Sequence, residues 1–252
     1  MSRVSLRPAL AAGTPLIGAF AAIPSPMAVE ILAASGPDFL CIDGEHSPIA
    51  GERLENMLRA AQVHGIPALV RVPGHAPEAI AAALDAGAAG ILAPRVSTVA
   101  EARAVIDAAR YPALGRRGAG PGRAAGYGPG IPDYIARAND ETVLAVQFET
   151  VEAVENAADI LSLPGIDLAF IGPGDLGVTL AAAGQPGADA LDAAISSLAA
   201  AIAASPVAAG IFAGTPAEAR ARIGSGIPLV IMGSDAMMLG EALRSRFHAA
   251  RA

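Results

Sequence analysis

Eight times along its length this chain sets a short, nearly uninterrupted apolar run before an alanine-rich stretch with helical punctuation. The apolar runs lie at 16–22, 38–42, 67–72, 90–94, 142–148, 166–171, 208–212 and 228–232. The helical stretches lie near 26–35, 51–64, 77–86, 98–110, 151–162, 188–204, 216–224 and 235–249. Continuous apolar runs are what parallel strands covered on both faces require. The punctuation agrees. Ser97 or Thr98 can cap one helix, and Thr215 before Pro216 reads as an N-cap with proline at the first helical position. Gly36, Gly65 and Gly87 stand where helices end. Eight such units in 252 residues fit an α/β fold, a (β/α)8 TIM barrel formed as one domain over 1–252. A doubly wound open sheet is the alternative topology. Residues 111–141 break the rhythm and read as a long loop, which in a compact domain is functional, an interface or a surface excursion.

Composition removes whole classes of chemistry. All 17 basic side chains are arginine, so the chain has no lysine. A Schiff-base lysine, a pyridoxal phosphate (PLP) linkage and a Walker A lysine are therefore excluded. A hydrophobic content of 53% without charged blocks argues against disorder. A net charge of -7, no tryptophan and 4% aromatic residues argue against a nucleic-acid partner. No apolar run approaches the ~20 residues of a membrane span. Near the amino terminus, Arg3 and Arg7 precede a short apolar stretch that Gly13-Thr14-Pro15 interrupts, too short for a signal-peptide core. The expected setting is cytoplasmic. The single cysteine, Cys41, excludes an intrachain disulfide and reads as a small buried hydrophobe.

Polar residues gather where the apolar runs end, which in a barrel of this kind is where reacting groups stand. After the second run come Asp43-Gly44-Glu45-His46, and the third holds Arg71 between Val70 and Val72. The fifth ends Gln147-Phe148-Glu149, the sixth Gly172-Pro173-Gly174-Asp175, and the eighth Gly233-Ser234-Asp235. Glu149 and Asp175 are two hard oxygen donors suited to Mg2+ or Mn2+. Alternatively, one caps a helix and the other lies in a turn. His46, beside acidic neighbours, can serve as a general base near neutral pH. His75 is a lesser candidate, His64 sits at a helix end, and His248 lies in the last helix. A buried Arg71 needs a carboxylate or an anionic ligand. Gly172-Pro173-Gly174-Asp175-Leu176-Gly177 satisfies a dinucleotide fingerprint, but in the sixth unit rather than the first, and Asp175 would repel a pyrophosphate. NAD is not expected.

The runs Ile42-Asp43-Gly44-Glu45-His46-Ser47-Pro48, Arg71-Val72-Pro73, Gln147-Phe148-Glu149-Thr150 and Phe170-Ile171-Gly172-Pro173-Gly174-Asp175-Leu176 together resemble the HpcH/HpaI aldolase family. These are metal-dependent class II pyruvate aldolases, and the similarity runs from about Gly18 to Phe247. The resemblance implies a (β/α)8 barrel assembled as a hexamer, with the last helix exchanged between subunits. It implies reversible cleavage of 4-hydroxy-2-oxo acids to pyruvate and an aldehyde through a metal-stabilised pyruvate enolate. A divalent ion (Mg2+, Mn2+ or Co2+) would sit on Glu149 and Asp175, with Gln147 lining its site. Arg71 would contact the pyruvate oxygens, and the backbone around Gly174 and Asp175 would hold the pyruvate carboxylate. His46 would work with Asp43 and Asp85 in water-assisted proton transfer.

Phe212 stands where relatives vary with aldehyde preference, and Arg123 would reach a neighbouring subunit's site to choose anionic aldehydes. The chain departs from the family's pattern at Phe20, where several relatives have tryptophan, at Arg95, commonly uncharged, and at Gly120-Pro121-Gly122. In the absence of lysine, the metal is the Lewis acid available to absorb the developing charge. The formal charges of a divalent ion, two carboxylates, pyruvate and Arg71 cancel. A lyase acting on a coenzyme A thioester and a non-catalytic binding barrel are the competing readings.

Overall fold

In the computed structural model, which describes residues 6–251, the eight apolar runs become eight parallel strands. Arg3 lies outside the described residues. The strands are β1 (Leu16–Ala21), β2 (Phe39–Asp43), β3 (Ala68–Arg71), β4 (Gly90–Ala93), β5 (Val143–Phe148), β6 (Leu168–Ile171), β7 (Ala208–Ala213) and β8 (Leu229–Ser234). They pair in chain order, and β8 returns to β1 to close the barrel. The open-sheet alternative is thereby set aside. Along each strand, alternate side chains point in and out. The inward set, including Phe39, Cys41, Leu69, Leu92, Phe170 and Ile231, fills the barrel. The outward set, including Ile42, Val70, Ile91, Val146 and Ile171, packs under the helices. Filling is tight: a Cβ on Gly18 would stand 2.6 Å from the Phe39 ring. Cys41 is fully buried, and burial pushes its thiol up to about 12.

The helix signals resolve cleanly. Thr98, not Ser97, caps the helix Val99–Ala109. Its hydroxyl accepts from the Glu101 amide at 3.2 Å, while the Glu101 carboxylate accepts from the Ser97 and Thr98 amides at 2.9 and 3.0 Å. That is a capping box. Thr215 accepts from the Glu218 amide at 3.2 Å. The helix Asp235–Ala249 ends the chain's regular structure. Among the described residues no helix is long and apolar enough to cross a membrane.

Four elements differ from the sequence expectation, the first being a short helix, Arg7–Ala11, ahead of β1. The stretch 111–141 is not one loop: it holds a 3-10 turn, Arg123–Ala125, and the helix Ile131–Glu141. Ile131, Tyr134, Ile135 and Ala138 fall at helical spacing behind Pro132 in the first turn, so the helix has an ordinary amphipathic cause. A further helix, Pro173–Ala182, follows β6, its pattern diluted by Gly174 and Gly177. The stretch 151–162 breaks at Asn156 into Val151–Glu155 and Ala157–Leu161, and the Asn156 side chain donates to the Ser97 carbonyl at 2.9 Å.

Because each helix runs back antiparallel to its strand, the segment 110–142 lies at the amino-terminal end of the barrel. Two buried arginines fix it there. Arg110 donates to the carbonyls of Gly165 at 2.9–3.0 Å and Thr142 at 2.9 Å, and pairs with Asp167. Arg117 pairs with Asp85 at 2.6 Å and lies 4.8 Å from the Tyr111 ring centroid.

Candidate active site

The carboxyl ends of β2, β3, β5 and β6 bring charged side chains into a barrel mouth that is otherwise apolar. Arg71 ends β3 directly beside Asp43, which ends β2; the two are register partners. Their side chains form a two-pronged ion pair, Nε to Oδ1 at 3.0 Å and Nη2 to Oδ2 at 2.7 Å. Both are nearly buried. Burial alone would raise the Asp43 carboxyl, but Arg71 and the amides of Glu45 and His46 outweigh it and hold the carboxyl below its ordinary value. For Arg71 burial works the other way, and Asp43 outweighs it, so the guanidinium is held above its ordinary range. The Phe20 ring lies under the guanidinium, 4.3 Å from centroid to Cζ, and stacks at 6.3 Å with Phe212. Arg71 keeps Nη1 unspent on Asp43.

A second polar group stands across the mouth. Glu149, just past β5 and 2% exposed, accepts from the Arg95 amide at 2.7 Å and from the Gln147 side-chain amide. Burial first, then the charges of Asp175 and Glu45, raise its carboxyl above the ordinary range, against the pull of Gln147 and the Arg95 amide. Glu45 is likewise raised by burial, with Asp43 and Asp175 adding to the rise and Arg71 and His46 opposing it. Its Oε2 lies 3.4 Å from Arg71 Nε and 3.7 Å from His46 Nε2. Asp175 sits exposed in the first turn of Pro173–Ala182. These mutual effects place Glu45, Glu149 and Asp175 in one field.

Two buried acceptors there, Gln147 Oε1 and Glu45 Oε2, have no hydrogen-bond partner. Arg71 compensates Glu45 Oε2 in part as an ion pair at 3.4 Å; an unpartnered buried acceptor costs about 1–3 kcal/mol, and a cation beside Gln147 Oε1 would satisfy it. Among the described residues no three His, Cys, Asp or Glu side chains cluster as a complete ligand set. The donors present, carboxylate and amide oxygens, suit a hard divalent ion that completes its shell with water and substrate oxygens. Backbone geometry supports the same set. A Cβ on Gly172 would fall 2.9 Å from both Gln147 Nε2 and Glu149 Oε2, so only glycine lets these side chains lie there.

The cavity between the two groups has a volume of about 230 Å³ and is lined by Asp43, Arg71, Gln147, Gly174, Asp175 and Phe212, with Phe20 and Phe170 as apolar walls. Seven of the expected residues thus come together, Glu149 included. His46 stands at the rim with its side chain 61% exposed. Asp85 and Arg123 do not join them. Asp85 ends the helix Pro77–Asp85 at the opposite end of the barrel, paired with Arg117, and Arg123 there donates to the Ala86 carbonyl at 3.0 Å and to Gln62. Of the hollows at that end, the one of about 680 Å³ is lined by Gln62, Arg123, Asp133, Arg137 and Glu141, none of which stands at a strand's carboxyl end. Asp235 is structural: it accepts from the Ala22 and Ile23 amides at 2.8 and 3.1 Å and ties the last helix to β1. Sequence reasoning assigned Glu45 no role, although it lies inside the Asp43–His46 motif.

The HpcH/HpaI aldolase/citrate lyase family profile matches residues 16–242. The chain is 38% identical over 249 residues to the 4-hydroxy-2-oxo-heptane-1,7-dioate aldolase of Salmonella arizonae, covering 97% of this chain and 95% of that one. It superposes on an HpcH/HpaI aldolase/citrate lyase family protein from Burkholderia cenocepacia with a TM-score of 0.90 at 34% identity, over 98% and 99% of the two chains. An HpcH/HpaI aldolase from Desulfitobacterium hafniense superposes with a TM-score of 0.89 at 25% identity, over 98% and 96%. With the closed barrel and the charged groups at its mouth, these likenesses make the chain a lyase that belongs to the HpcH/HpaI aldolase/citrate lyase family.

Proposed function

We propose that this enzyme reversibly cleaves 4-hydroxy-2-oxo acids to pyruvate and an aldehyde. The observation that carries the reading is a buried arginine with an unspent nitrogen facing carboxylates and an orphaned amide oxygen across a cavity of about 230 Å³. A 2-oxo acid needs both: a fork of N–H donors for its oxygens and a cation site for its 2-oxo group. Glu149 and Asp175, helped by Gln147 Oε1, would hold the divalent ion, Mg2+ or Mn2+ with Co2+ as a substitute. When bound, such an ion supplies the Lewis acidity that draws electron density from the 2-oxo group.

The chain's own side chains do the rest. Asp43 holds Arg71 in one plane, so that Nη1 meets a carboxylate or oxo oxygen without reorganising. Amides in the first turn after Gly172 receive the substrate carboxylate. Phe20, Phe170 and Phe212 keep water from the reacting carbons. His46, directly or through a water, takes the proton of the C4 hydroxyl; Glu45 steadies the resulting imidazolium. The C4 oxygen becomes the aldehyde carbonyl, the C3–C4 bond breaks, and its electron pair passes to the pyruvate fragment, which takes a proton at C3. Condensation runs the same steps in reverse.

The assembly belongs to the same reading. The helix Asp235–Ala249 buries only Asp235 and exposes Met237, Leu239, Leu243 and Phe247. A second copy of the chain covering that face, in a hexamer with exchanged last helices, accounts for the exposure. A cytoplasmic setting suits a chain with one buried free cysteine.

Exchange of pyruvate methyl protons in D2O tests the function. Exchange with Mn2+ or Mg2+, its loss on adding EDTA, and pyruvate formation from 4-hydroxy-2-oxo-heptane-1,7-dioate are expected. No exchange at any metal concentration would refute the reading, and thiol release from an acyl-coenzyme A would point to the thioester lyase instead.

A further inference from the structure

Among the described residues, the loops leaving the carboxyl ends of the eight strands contain one arginine, Arg95. The chain has no lysine, and Arg71 is committed to Asp43. Around the same mouth stand the carboxylates of Asp43, Glu45, Glu149 and Asp175. Arg71 and a divalent ion do not offset all four, and pyruvate adds another negative charge. An aldehyde with its own acid group meets repulsion there unless a further cation receives it.

Arg95 is held rigidly for that task. Its φ is 54°, in the left-handed region that residues other than glycine seldom adopt. The peptide unit joining Pro94 to Arg95 is fixed at both ends. The Pro94 carbonyl accepts from His75 Nε2 at 2.6 Å, and the Arg95 amide donates to Glu149 Oε1 at 2.7 Å. The side chain that rises from this fixed unit is exposed, and it makes no hydrogen bond or ion pair with another described residue. Its backbone thus touches the carboxylate assigned to the metal, while its guanidinium is unspent.

We propose that Arg95 determines specificity. Its guanidinium receives an acid group at the far end of the aldehyde portion, so the enzyme prefers 4-hydroxy-2-oxo acids that end in a second carboxylate over those that end in an alkyl group. This rests on the aldolase reading above and names the substrate class of that site.

The test measures kcat/KM for 4-hydroxy-2-oxo-heptane-1,7-dioate and for 4-hydroxy-2-oxopentanoate in the parent and in Arg95→Gln, Arg95→Gly and Arg95→Lys. The ratio of diacid to monoacid falls about tenfold or more in the Gln and Gly variants, mainly through the diacid's KM, and Lys restores most of it. Glycine adopts a positive φ without strain, so a fall shared by Gln and Gly reports lost charge rather than a moved backbone. Added salt lowers the parent's ratio and leaves the Gln variant's ratio level. A ratio that stays within about twofold of the parent's in both uncharged variants, beyond the noise of a weak surface contact, overturns the role of Arg95. So does failure of Lys to recover it. Pyruvate proton exchange is followed in every protein: its absence from the parent sinks the aldolase reading itself, whereas exchange with an unaltered ratio sinks Arg95 alone.

Discussion

Replacing Arg71 with methionine keeps an apolar stem but removes both prongs of the Asp43 pair and the guanidinium that lies over Phe20. Asp43 is 4% exposed, so its charge would be left in a dry site with two backbone donors, the Glu45 and His46 amides at 3.1 and 3.2 Å. Breaking a buried pair from one side costs about 3–5 kcal/mol, because the remaining charge is uncompensated. The two amides offset part of that, so the expected loss for Arg71→Met is about 3 kcal/mol in urea unfolding at neutral pH. Removing both partners, as in Asp43→Leu with Arg71→Met, leaves no orphan charge and recovers most of the stability. The double-mutant cycle then reports a coupling well above the ~1 kcal/mol of an exposed pair.

Acid gives a second handle on the same pair. The Asp43 carboxyl is held below its ordinary value of 3.8 in the folded chain. The pair's contribution is therefore fully present above 3.8, and it is lost as the pH falls from there through the lower folded value. Arg71, raised above its ordinary value, stays charged throughout. The gap between parent and Arg71→Met should be widest near neutral pH and narrow at the acid end. A single-variant loss under about 1 kcal/mol, or a gap that widens on acidification, refutes the account of a desolvated pair.

Two other substitutions probe opposite ends of the barrel. Gly172→Ala sets a Cβ 2.9 Å from Gln147 Nε2 and Glu149 Oε2. Side-chain ends can yield, so thermal unfolding should move little, while Mn2+ affinity and kcat/KM fall, the latter on the order of 10²-fold for a displacement of about 1 Å; unaltered metal affinity would contradict the placement of Glu149. Arg110→Met removes the guanidinium that serves the carbonyls of Gly165 and Thr142 and pairs with Asp167 at the amino-terminal end. The expected loss is about 3–5 kcal/mol of stability, with pyruvate proton exchange per folded chain preserved, as calorimetry and exchange on the same samples would show.

How far the sequence carried can be traced residue by residue. All eight strands were readable because each is apolar on both faces, as β2 and β5 illustrate with every residue buried. Asp43, Arg71, Gln147, Glu149 and Asp175 were readable because charge at a strand end is conspicuous in an apolar chain. The partner of Arg71 was not, since a salt bridge and an anion site place the same demand on the sequence; the register of β2 against β3 selects Asp43. Glu45 was hidden by its neighbours in the motif. The helix Ile131–Glu141 was legible in its own spacing but masked by the glycine-rich stretch before it. Arg95 stood out only as a charge where relatives are commonly uncharged; its conformation was not legible, because its peptide is held by His75 and Glu149, far away in the chain.

Asp85 poses the remaining question about the proton path. Helix direction puts it at the amino-terminal end, paired with Arg117 and 32% exposed, whereas His46 stands at the other end of the same barrel. No side-chain motion in one chain joins them, so an Asp85 that supports His46 must come from another copy. Mixing chains decides the matter. Asp85→Asn keeps a hydrogen-bond acceptor for Arg117, so the segment it fixes should stay in place. Preparations of Asp85→Asn alone and of His46→Ala alone would each be impaired in cleavage. If every site draws His46 from one chain and Asp85 from its neighbour, random co-assembly of equal amounts restores about a quarter of the parental sites in a symmetric oligomer. These are the sites whose own chain is Asp85→Asn and whose neighbour is His46→Ala, so that both the intact His46 and the intact Asp85 are present. Activity that never exceeds the average of the two separate preparations, after co-assembly is verified by differential tagging, removes Asp85 from the proton path and leaves Glu45 as the carboxylate beside His46.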